Sequence, residues 1–375
     1  MATAPDQTYT PFPGFGEPVD WFTAPIIGGR PDWALASIGG RVCLMLFYGT
    51  AGAPGAQAAL ATIRENRAVF DDVDALFFGV SIDPRDATGG QINEEVPGLR
   101  HFADGGREIS RRFGAAPLED GDVIQYRPHF LLLDKDLRVA ARFPMDQAES
   151  AIAAVRAEVA RARQDWAPVL SVPNVLEPEL CTRLIDYYES RGGEPSGFMR
   201  QIDGRTRLVV DPGFKMRADC PIEDHDLWRA LQARLERRLV PMMRRAFQFQ
   251  ATRVERYIVA RYDSSEGGFF RAHRDNTTKG TAHRRFACTI NLNADYDGGD
   301  LRFPEFGGRV YRAPVGGAVL FSCSLLHEAT PVTRGTRYAF LPFFYDEEGA
   351  ALRERNNQFL SDEVDRYAAG TIRTE

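Results

Sequence analysis

The sequence predicts two domains of different class, an α/β sandwich in the first half and a domain in the second half whose chemistry sits on short strands. Three observations carry this reading. The chain has 375 residues, enough for two domains of ordinary size. Over residues 8–163 short apolar runs alternate with stretches of helical spacing, the pattern of an α/β sheet with a parallel portion. Over residues 261–345, His273, Asp275 and His327 are set among strand-like runs at a spacing that suits one metal ion.

In the first half, residues 41–49 (RVCLMLFYG) and 75–83 (ALFFGVSID) are apolar runs of the buried-strand kind, and residues 56–70 between them have helical spacing. A short helix over 106–114, a hairpin over 129–144 turning at Lys135-Asp136, and a long helix over 148–163 follow. Pro168 and Pro173 break the helical pattern in 163–174, which reads as a linker running into a first strand and sets the domains at 1–165 and 166–375. Residues 175–192 and 227–247 then read as helices, the second with Pro241 near its end or at a kink. Its arginines read as a solvated face.

His273 and Asp275 are separated by one residue, so on an extended segment both project to one side. His327 follows a buried-strand run over 318–321. Two His and one carboxylate on one face of an octahedral metal leave three positions open, the arrangement of non-haem Fe(II) oxygenases. Alone, His-x-Asp is a weak signal in a chain with six His, where a surface loop competes as an explanation. Arg337 strengthens it. This residue lies ten positions after His327 in PVTRGTRYAF, where Gly335 permits a turn before residues 338–340 resume a strand, and a guanidinium there could clamp a carboxylate through two parallel hydrogen bonds. Tyr262 offers a phenol donor, and Thr289, Asn291 and Asn293 would share one strand face.

Together these pieces, Tyr262 before a Gly-rich turn, His273-x-Asp275, LNADYDGGDLRFPE, His327 and PVTRGTR, resemble the catalytic core of the Fe(II)/2-oxoglutarate-dependent dioxygenases, in the prolyl 4-hydroxylase-like branch. The resemblance implies a double-stranded β-helix, or jelly roll, with supporting helices and the triad at the barrel mouth. It implies His273, Asp275 and His327 as iron ligands, Arg337 as partner of the distal carboxylate of 2-oxoglutarate, Tyr262 as a donor to the same group and Thr289 as a further cosubstrate contact. Fe(II), 2-oxoglutarate and O2 are the implied cofactors, with ascorbate a candidate reductant. The implied reaction hydroxylates a C–H bond of a peptidyl, free or carrier-bound amino acid while 2-oxoglutarate is decarboxylated to succinate and CO2. Asp275 separates the chain from related halogenases, which lack that carboxylate.

The first half resembles the peroxiredoxin-like branch of the thioredoxin fold through FYGTAGAPGAQAAL, GVSIDPRD, HFADGGREISRRFG and RPHFLLLD. It departs at the decisive position. Peroxiredoxins need a low-pKa cysteine where the helix dipole stabilises thiolate; Ala56 occupies that place, and Ala53 replaces a Thr or Ser. Cys43 lies inside the preceding apolar run, and Arg127, which matches the family's active-site arginine, has no thiolate to activate. The resemblance therefore implies a catalytically silent domain for structure, homodimerisation or partner docking. A thiol peroxidase, with only Cys43 available, and a redox-responsive interaction protein are the rival readings.

The remaining features exclude more than they assign. A net charge of −6 and a pI near 5.7 disfavour non-specific nucleic-acid binding. Five cysteines without paired spacing suit a reducing compartment, and the absence of an apolar run of spanning length or a basic leader predicts a cytoplasmic protein with no membrane partner. His101, His129 and His225 read as structural or surface residues, His283 as a loop residue near the triad, and Arg217 as a residue near the pocket mouth. An amphipathic helix is expected over 357–369.

Overall fold

The computed structural model describes residues 7–90, 92–121, 123–161 and 165–368. The chain divides into two compact units, one of Met1–Gln164 with Pro304–Gly307, the other of Asp165–Phe303 and Gly308–Glu375.

The N-terminal unit is built on strands β1 (Val42–Gly49), β2 (Ala75–Ser81), β3 (Leu99–Ala103), β4 (His129–Leu133) and β5 (Val139–Pro144), in the spatial order β3-β2-β1-β4-β5. β1, β2 and β3 run parallel, while β4 and β5 add antiparallel. Helices α1 (Pro54–Glu65) and α2 (Ala148–Ala160) cover one face through Ala56, Leu60, Ile63, Ile152 and Val155. Leu35, Ile38, Ile109 and Phe113 cover the other. Because both faces are covered, every residue of β1 and β2 is buried, which is why these strands read as unbroken apolar runs. This is the thioredoxin-like α/β sandwich expected. The last residues of the long helix expected over 148–163, and the start of the linker, lie outside the described residues.

β3 escaped the sequence pattern because it carries Arg100 and His101. Its charge is neutralised locally: Arg100 pairs with Asp72 at 2.6 Å and with Glu94 at 3.0 Å. His101 lies beside the Tyr48 hydroxyl at 3.3 Å, and burial drives its pKa down to about 3.

In the C-terminal unit, eight strands and one helix matter to the site: α3 (Pro178–Arg191), β6 (Phe198–Ile202), β7 (Arg205–Val209), β8 (Lys215–Met216), β9 (Ile258–Asp263), β10 (Phe269–His273), β11 (Phe286–Asn291), β12 (His327–Ala329) and β13 (Val332–Phe340). β8, β10 and β12 continue through Leu301–Arg302 and Val310–Tyr311 as a five-stranded sheet. β11, β13 and β9 form the middle of a larger sheet, which Phe343–Tyr345 and Ala218–Pro221 extend on either side. All these pairings are antiparallel. Phe270 and Ala329 of the smaller sheet pack on Ala260, Tyr262 and Val332 of the larger, so the two sheets face each other as in a double-stranded β-helix.

Strand alternation then divides the larger sheet's two faces. Val259, Cys288, Ile290 and Phe340 point outward onto α3 and onto the helical stretch carrying Leu231, Leu235, Leu239 and Met243. That stretch is two α-helices, His225–Arg234 and Val240–Phe247, joined by a wide π-turn over Leu235–Leu239. The irregularity falls where Pro241 removes a backbone donor. Two of its arginines, Arg234 and Arg238, are held by Glu177 rather than left as a free basic face. Two other expectations change. Gly335 sits inside the continuous strand β13 with φ +73°, so it bends a strand instead of making a turn. Residues 360–368 form no helix, because Leu360 bridges to Thr206 and the Ser361 amide donates to the Thr206 carbonyl.

The buried, neutral His101 makes the N-terminal unit acid-sensitive. Its folded pKa lies below the ordinary value of 6.5, so below pH 6.5 the unfolded chain binds the extra proton and stability falls as pH drops towards 3. In urea unfolding, the stability difference between wild type and His101→Gln is expected to change by about 1.4 kcal/mol per pH unit between pH 6 and pH 4. A difference that does not vary with pH would contradict a neutral buried ring.

Candidate active site

His273 ends β10, His327 begins β12, and the two are direct cross-strand partners. A shift of register between Phe270 and His273 turns the Phe270 ring onto the His273 ring, centroids 3.5 Å apart. The Asp275 amide donates to the Cys323 carbonyl at 3.0 Å, which fixes the chain just past β10. The Asp275 carboxylate thereby falls between the imidazoles, with Oδ1 3.5 Å from His273 Nε2 and Oδ2 3.3 Å from His327 Nε2. The three donor atoms lie within 4.8 Å of one another.

Each ring is locked from behind in the same way. His273 Nδ1 lies 2.8 Å from the Arg271 carbonyl and His327 Nδ1 lies 2.9 Å from the Leu325 carbonyl, each two residues back. Since a carbonyl only accepts, both Nδ1 atoms carry the proton, and both Nε2 lone pairs are turned towards the carboxylate. Burial, together with the neighbouring His327, pushes the His273 pKa down to about 4, so that ring is neutral near pH 7. Two lone pairs facing an anion repel it. A divalent cation between them converts all three groups into ligands, and the donor set of two imidazoles and one carboxylate suits ferrous iron.

On the facing sheet, Arg337 of β13 is directly opposite Tyr262 of β9. Arg337 is buried, and its Nη2 donates to Thr289 Oγ1 at 2.7 Å and to Asn291 Oδ1 at 3.2 Å. Its Nε is buried without a partner, a cost of about 1–3 kcal/mol that a bound acceptor would remove. Gly299 makes room for the arginine: at φ +64°, a Cβ there would meet Arg337 Cδ at 3.2 Å and Val332 Cγ2 at 2.8 Å. Tyr262 is also buried, and its phenol oxygen accepts from Arg217 at 3.3 Å, leaving its own proton to donate.

The structure brings His273, Asp275 and His327 together on one sheet and Arg337, Thr289 and Tyr262 on the other. Thr289 spends its oxygen on orienting Arg337. Arg217 is not at the pocket mouth but buried behind Tyr262, where Asp219 at 2.7 Å and Ser196 at 3.1 Å hold it. His283 is buried as well, its Nε2 2.8 Å from Glu255, a carboxylate also gripped by Arg284 and Arg353. Asn293 leaves the face of Thr289 and Asn291 because β11 ends at Asn291; its side chain bonds the backbone of Thr336 and Tyr338 instead. The sequence reading did not single out Asn291 as a clamp, nor Phe270 and Gly299. Their signals were the i+2 spacing from Thr289, the aromatic pair before His273, and the Gly pair at 298–299.

Residues 257–345 match the model of the 2OG-Fe(II) oxygenase superfamily. The C-terminal unit is therefore similar, over that stretch, to the 2OG-Fe(II) oxygenases. The matched stretch holds the whole set from Tyr262 to Arg337. Over 183 residues the chain is 28% identical to a PKHD-type hydroxylase of Cupriavidus metallidurans, covering 46% of this chain and 75% of that protein. Other PKHD-type hydroxylases are matched over only 25% to 46% of their own length. Among solved structures, a prolyl hydroxylase from Trichoplax adhaerens, in complex with a hypoxia inducible factor peptide fragment, aligns at 20% identity and TM-score 0.39 over 49% of this chain and 86% of that one. Peroxidoxin BcpB from Mycobacterium tuberculosis aligns at 22% identity and TM-score 0.35 over 40% of this chain and 99% of that one. No helix among the described residues of either unit is long and apolar enough to cross a membrane.

The electrostatics of the His273, Asp275 and His327 trio give opposite signs for one substitution. In the metal-free protein Asp275→Asn puts an amide donor beside an imidazole lone pair and is expected to raise stability by about 1 kcal/mol, read as a higher thermal midpoint. The same change is expected to weaken Fe(II) or Co(II) binding at least tenfold in equilibrium dialysis. Destabilisation of the metal-free protein would contradict the assigned ring orientations.

Proposed function

We propose that the chain is an Fe(II)- and 2-oxoglutarate-dependent hydroxylase in which His273, Asp275 and His327 hold iron and Arg337 holds the far carboxylate of 2-oxoglutarate. The observation that carries this reading is the convergence of both Nε2 lone pairs and the Asp275 carboxylate on one point, opposite a buried guanidinium whose Nε lacks an acceptor. When bound, ferrous iron with 2-oxoglutarate and dioxygen supplies the oxidising power for C–H hydroxylation, with release of succinate and CO2.

The protein's own part is positioning. Thr289 and Asn291 aim Arg337, Tyr262 donates its phenol proton to the same carboxylate, and Arg217 with Asp219 holds Tyr262 in place. Phe270 stacked on His273 closes one side against water. The substrate is an amino-acid-type C–H bond, peptidyl, free or carrier-bound, in line with the hydroxylase relatives. We read residues 166–375 as the catalytic domain and residues 1–165 as a non-catalytic support.

Thiol chemistry is disfavoured on two counts. Ala56 lies buried in the first turn of α1, where a peroxidatic thiolate would stand. All five cysteines are buried, and burial raises the pKa of each, Cys181 to about 11. Arg127, exposed, stacks on Tyr9 with its guanidinium carbon 3.4 Å from the ring centre.

Anaerobic titration of metal-free protein with Fe(II) and then 2-oxoglutarate tests the reading through the visible charge-transfer band of the chelate. The band is expected in wild type and absent in His273→Ala. Arg337→Ala is expected to need about 10- to 100-fold more 2-oxoglutarate, since hydrogen bonds to a charged group contribute about 1.5–3 kcal/mol. Iron binding without a band would overturn the assignment of Arg337 and of the cosubstrate.

A further inference from the structure

A second set of buried charges gathers around Glu255, apart from the His273, Asp275 and His327 trio. The Glu255 carboxylate is buried, and three side chains converge on it: His283 Nε2 at 2.8 Å, Arg284 Nε at 2.6 Å and Arg353 Nη1 at 2.9 Å. Burial opposes its charge, but Arg284 and the bond from His283 hold its pKa well below the ordinary carboxylate range. Glu255 is therefore an anion. A carboxylate anion only accepts, so the His283 proton sits on Nε2 and Nδ1 is left as a bare lone pair. That Nδ1 is buried and has no partner. Burial also keeps the pKa of the ring below its ordinary 6.5, so the lone pair is present near pH 7.

Glu255, His283, Arg284 and Arg353 line a cavity of about 60 Å³, to which the C-terminal segment contributes Asn357 and Tyr367. The segment is held there by the Asn357 side chain, which accepts from the Tyr367 amide at 2.9 Å and donates to the Tyr367 carbonyl at 2.5 Å. The Tyr367 ring in turn lies against Arg353, whose guanidinium carbon is 4.4 Å from the ring centre. Among the described residues Arg284 bonds only through Nε and Arg353 only through Nη1, so N–H groups of both guanidiniums remain for a ligand. Asp365 is a second acid among the lining residues, but it is exposed and water screens it. Two arginines against Glu255 leave the buried part of the cavity with a positive surplus.

We propose that this cavity binds a small oxyanion carrying one hydroxyl, of the class of bicarbonate or hydrogen phosphate. Each part of such an ion answers one feature of the cavity. The negative oxygens accept from the spare N–H groups of Arg284 and Arg353, in the geometry that favours a guanidinium for oxyanions. The hydroxyl donates to His283 Nδ1 and removes the cost of a buried unpaired acceptor. The volume suits an ion of roughly four or five non-hydrogen atoms, at about 10–15 Å³ for each water-sized group. An anion without a proton, such as nitrate or sulfate, would set its own lone pairs against that of His283. The site is independent of the hydroxylase reading, since neither the metal trio nor Arg337 takes part in it.

The test is the thermal midpoint of the full chain at pH 7.5 and constant ionic strength, titrated with bicarbonate against nitrate and with phosphate against sulfate, each pair matched in shape. Bicarbonate or phosphate is expected to raise the midpoint by about 2–4 °C at ten times its Kd, and to act at a concentration at least tenfold lower than its partner without a hydroxyl. A response to bicarbonate alone identifies a planar ion, and one to phosphate alone a tetrahedral ion. His283→Gln keeps a donor for Glu255 but loses the Nδ1 lone pair, and is expected to weaken the response at least tenfold. Arg353→Gln, which removes one guanidinium from the half-exposed side, gives the same reading if His283→Gln does not fold. Arg337→Ala is expected to retain the response in full. No response to either hydroxyl-bearing anion, which would mean a cavity holding water only, would overturn the proposal. So would an equal response to nitrate or sulfate, an undiminished response in the cavity variants, or its loss in Arg337→Ala, which would assign the anion to the active-site guanidinium.

Discussion

The Asp275 carboxylate between two imidazole nitrogens is the constraint on which the C-terminal unit depends. Burial works against its charge, and the Nε2 lone pairs of His273 and His327 turned towards it repel it until a cation lies between them. The backbone enforces this arrangement instead of leaving it to flexible side chains. The two rings are clamped by carbonyls two residues behind them, the carboxylate is set by the amide bond to Cys323, and the strands carrying the histidines are hydrogen-bonded neighbours. A cation entering such a site would find its three donors already placed, so little ordering entropy would be lost on binding.

The division of labour between the sheets follows from alternation along strands. On β9, β11 and β13, one set of residues (Val259, Cys288, Ile290, Phe340) faces the helices and is apolar. The other set (Tyr262, Thr289, Asn291, Arg337) faces the smaller sheet and is polar. Helices on the outside free the inside for chemistry, because the apolar area buried under α3 and its neighbours stabilises strands whose inner face contributes little. The buried charge of Arg337 is tolerable on that inner face because Thr289 and Asn291 satisfy part of it and a carboxylate ligand suits the rest.

The sequence reading succeeded where chemistry and periodicity coincided. β1 and β2 are unbroken apolar runs, and the ligand trio is marked by residue type as well as spacing. It failed where tertiary contacts overrode local pattern. β3 hides a buried Arg and His whose partners, Asp72, Glu94 and Tyr48, are distant in sequence. His283 and Arg217 looked like surface or pocket-mouth residues because nothing local announces that Glu255 and Asp219 will pair with them. The β6–β7 hairpin was legible in Asp203-Gly204 and was passed over; its strands carry arginines where a strand pattern would have apolar residues. The expected helix after residue 356 is a different failure. Its periodicity is real, but Leu360 is used in a bridge to Thr206.

By itself the sequence determined that the chain has two domains, that the second carries a two-histidine, one-carboxylate set with an arginine downstream, and that the first lacks a cysteine at its helix start. These follow from residue identity, which no conformation alters. Only the tertiary structure decided that the Nε2 rather than the Nδ1 atoms face the carboxylate, that Arg337 is aimed by Thr289 and Asn291 with its buried Nε left without a partner, and that Arg200 and Arg207 oppose each other on a shared face. Each of these depends on strand register, and a slip of one residue would turn every side chain to the other face while leaving the sequence pattern unchanged.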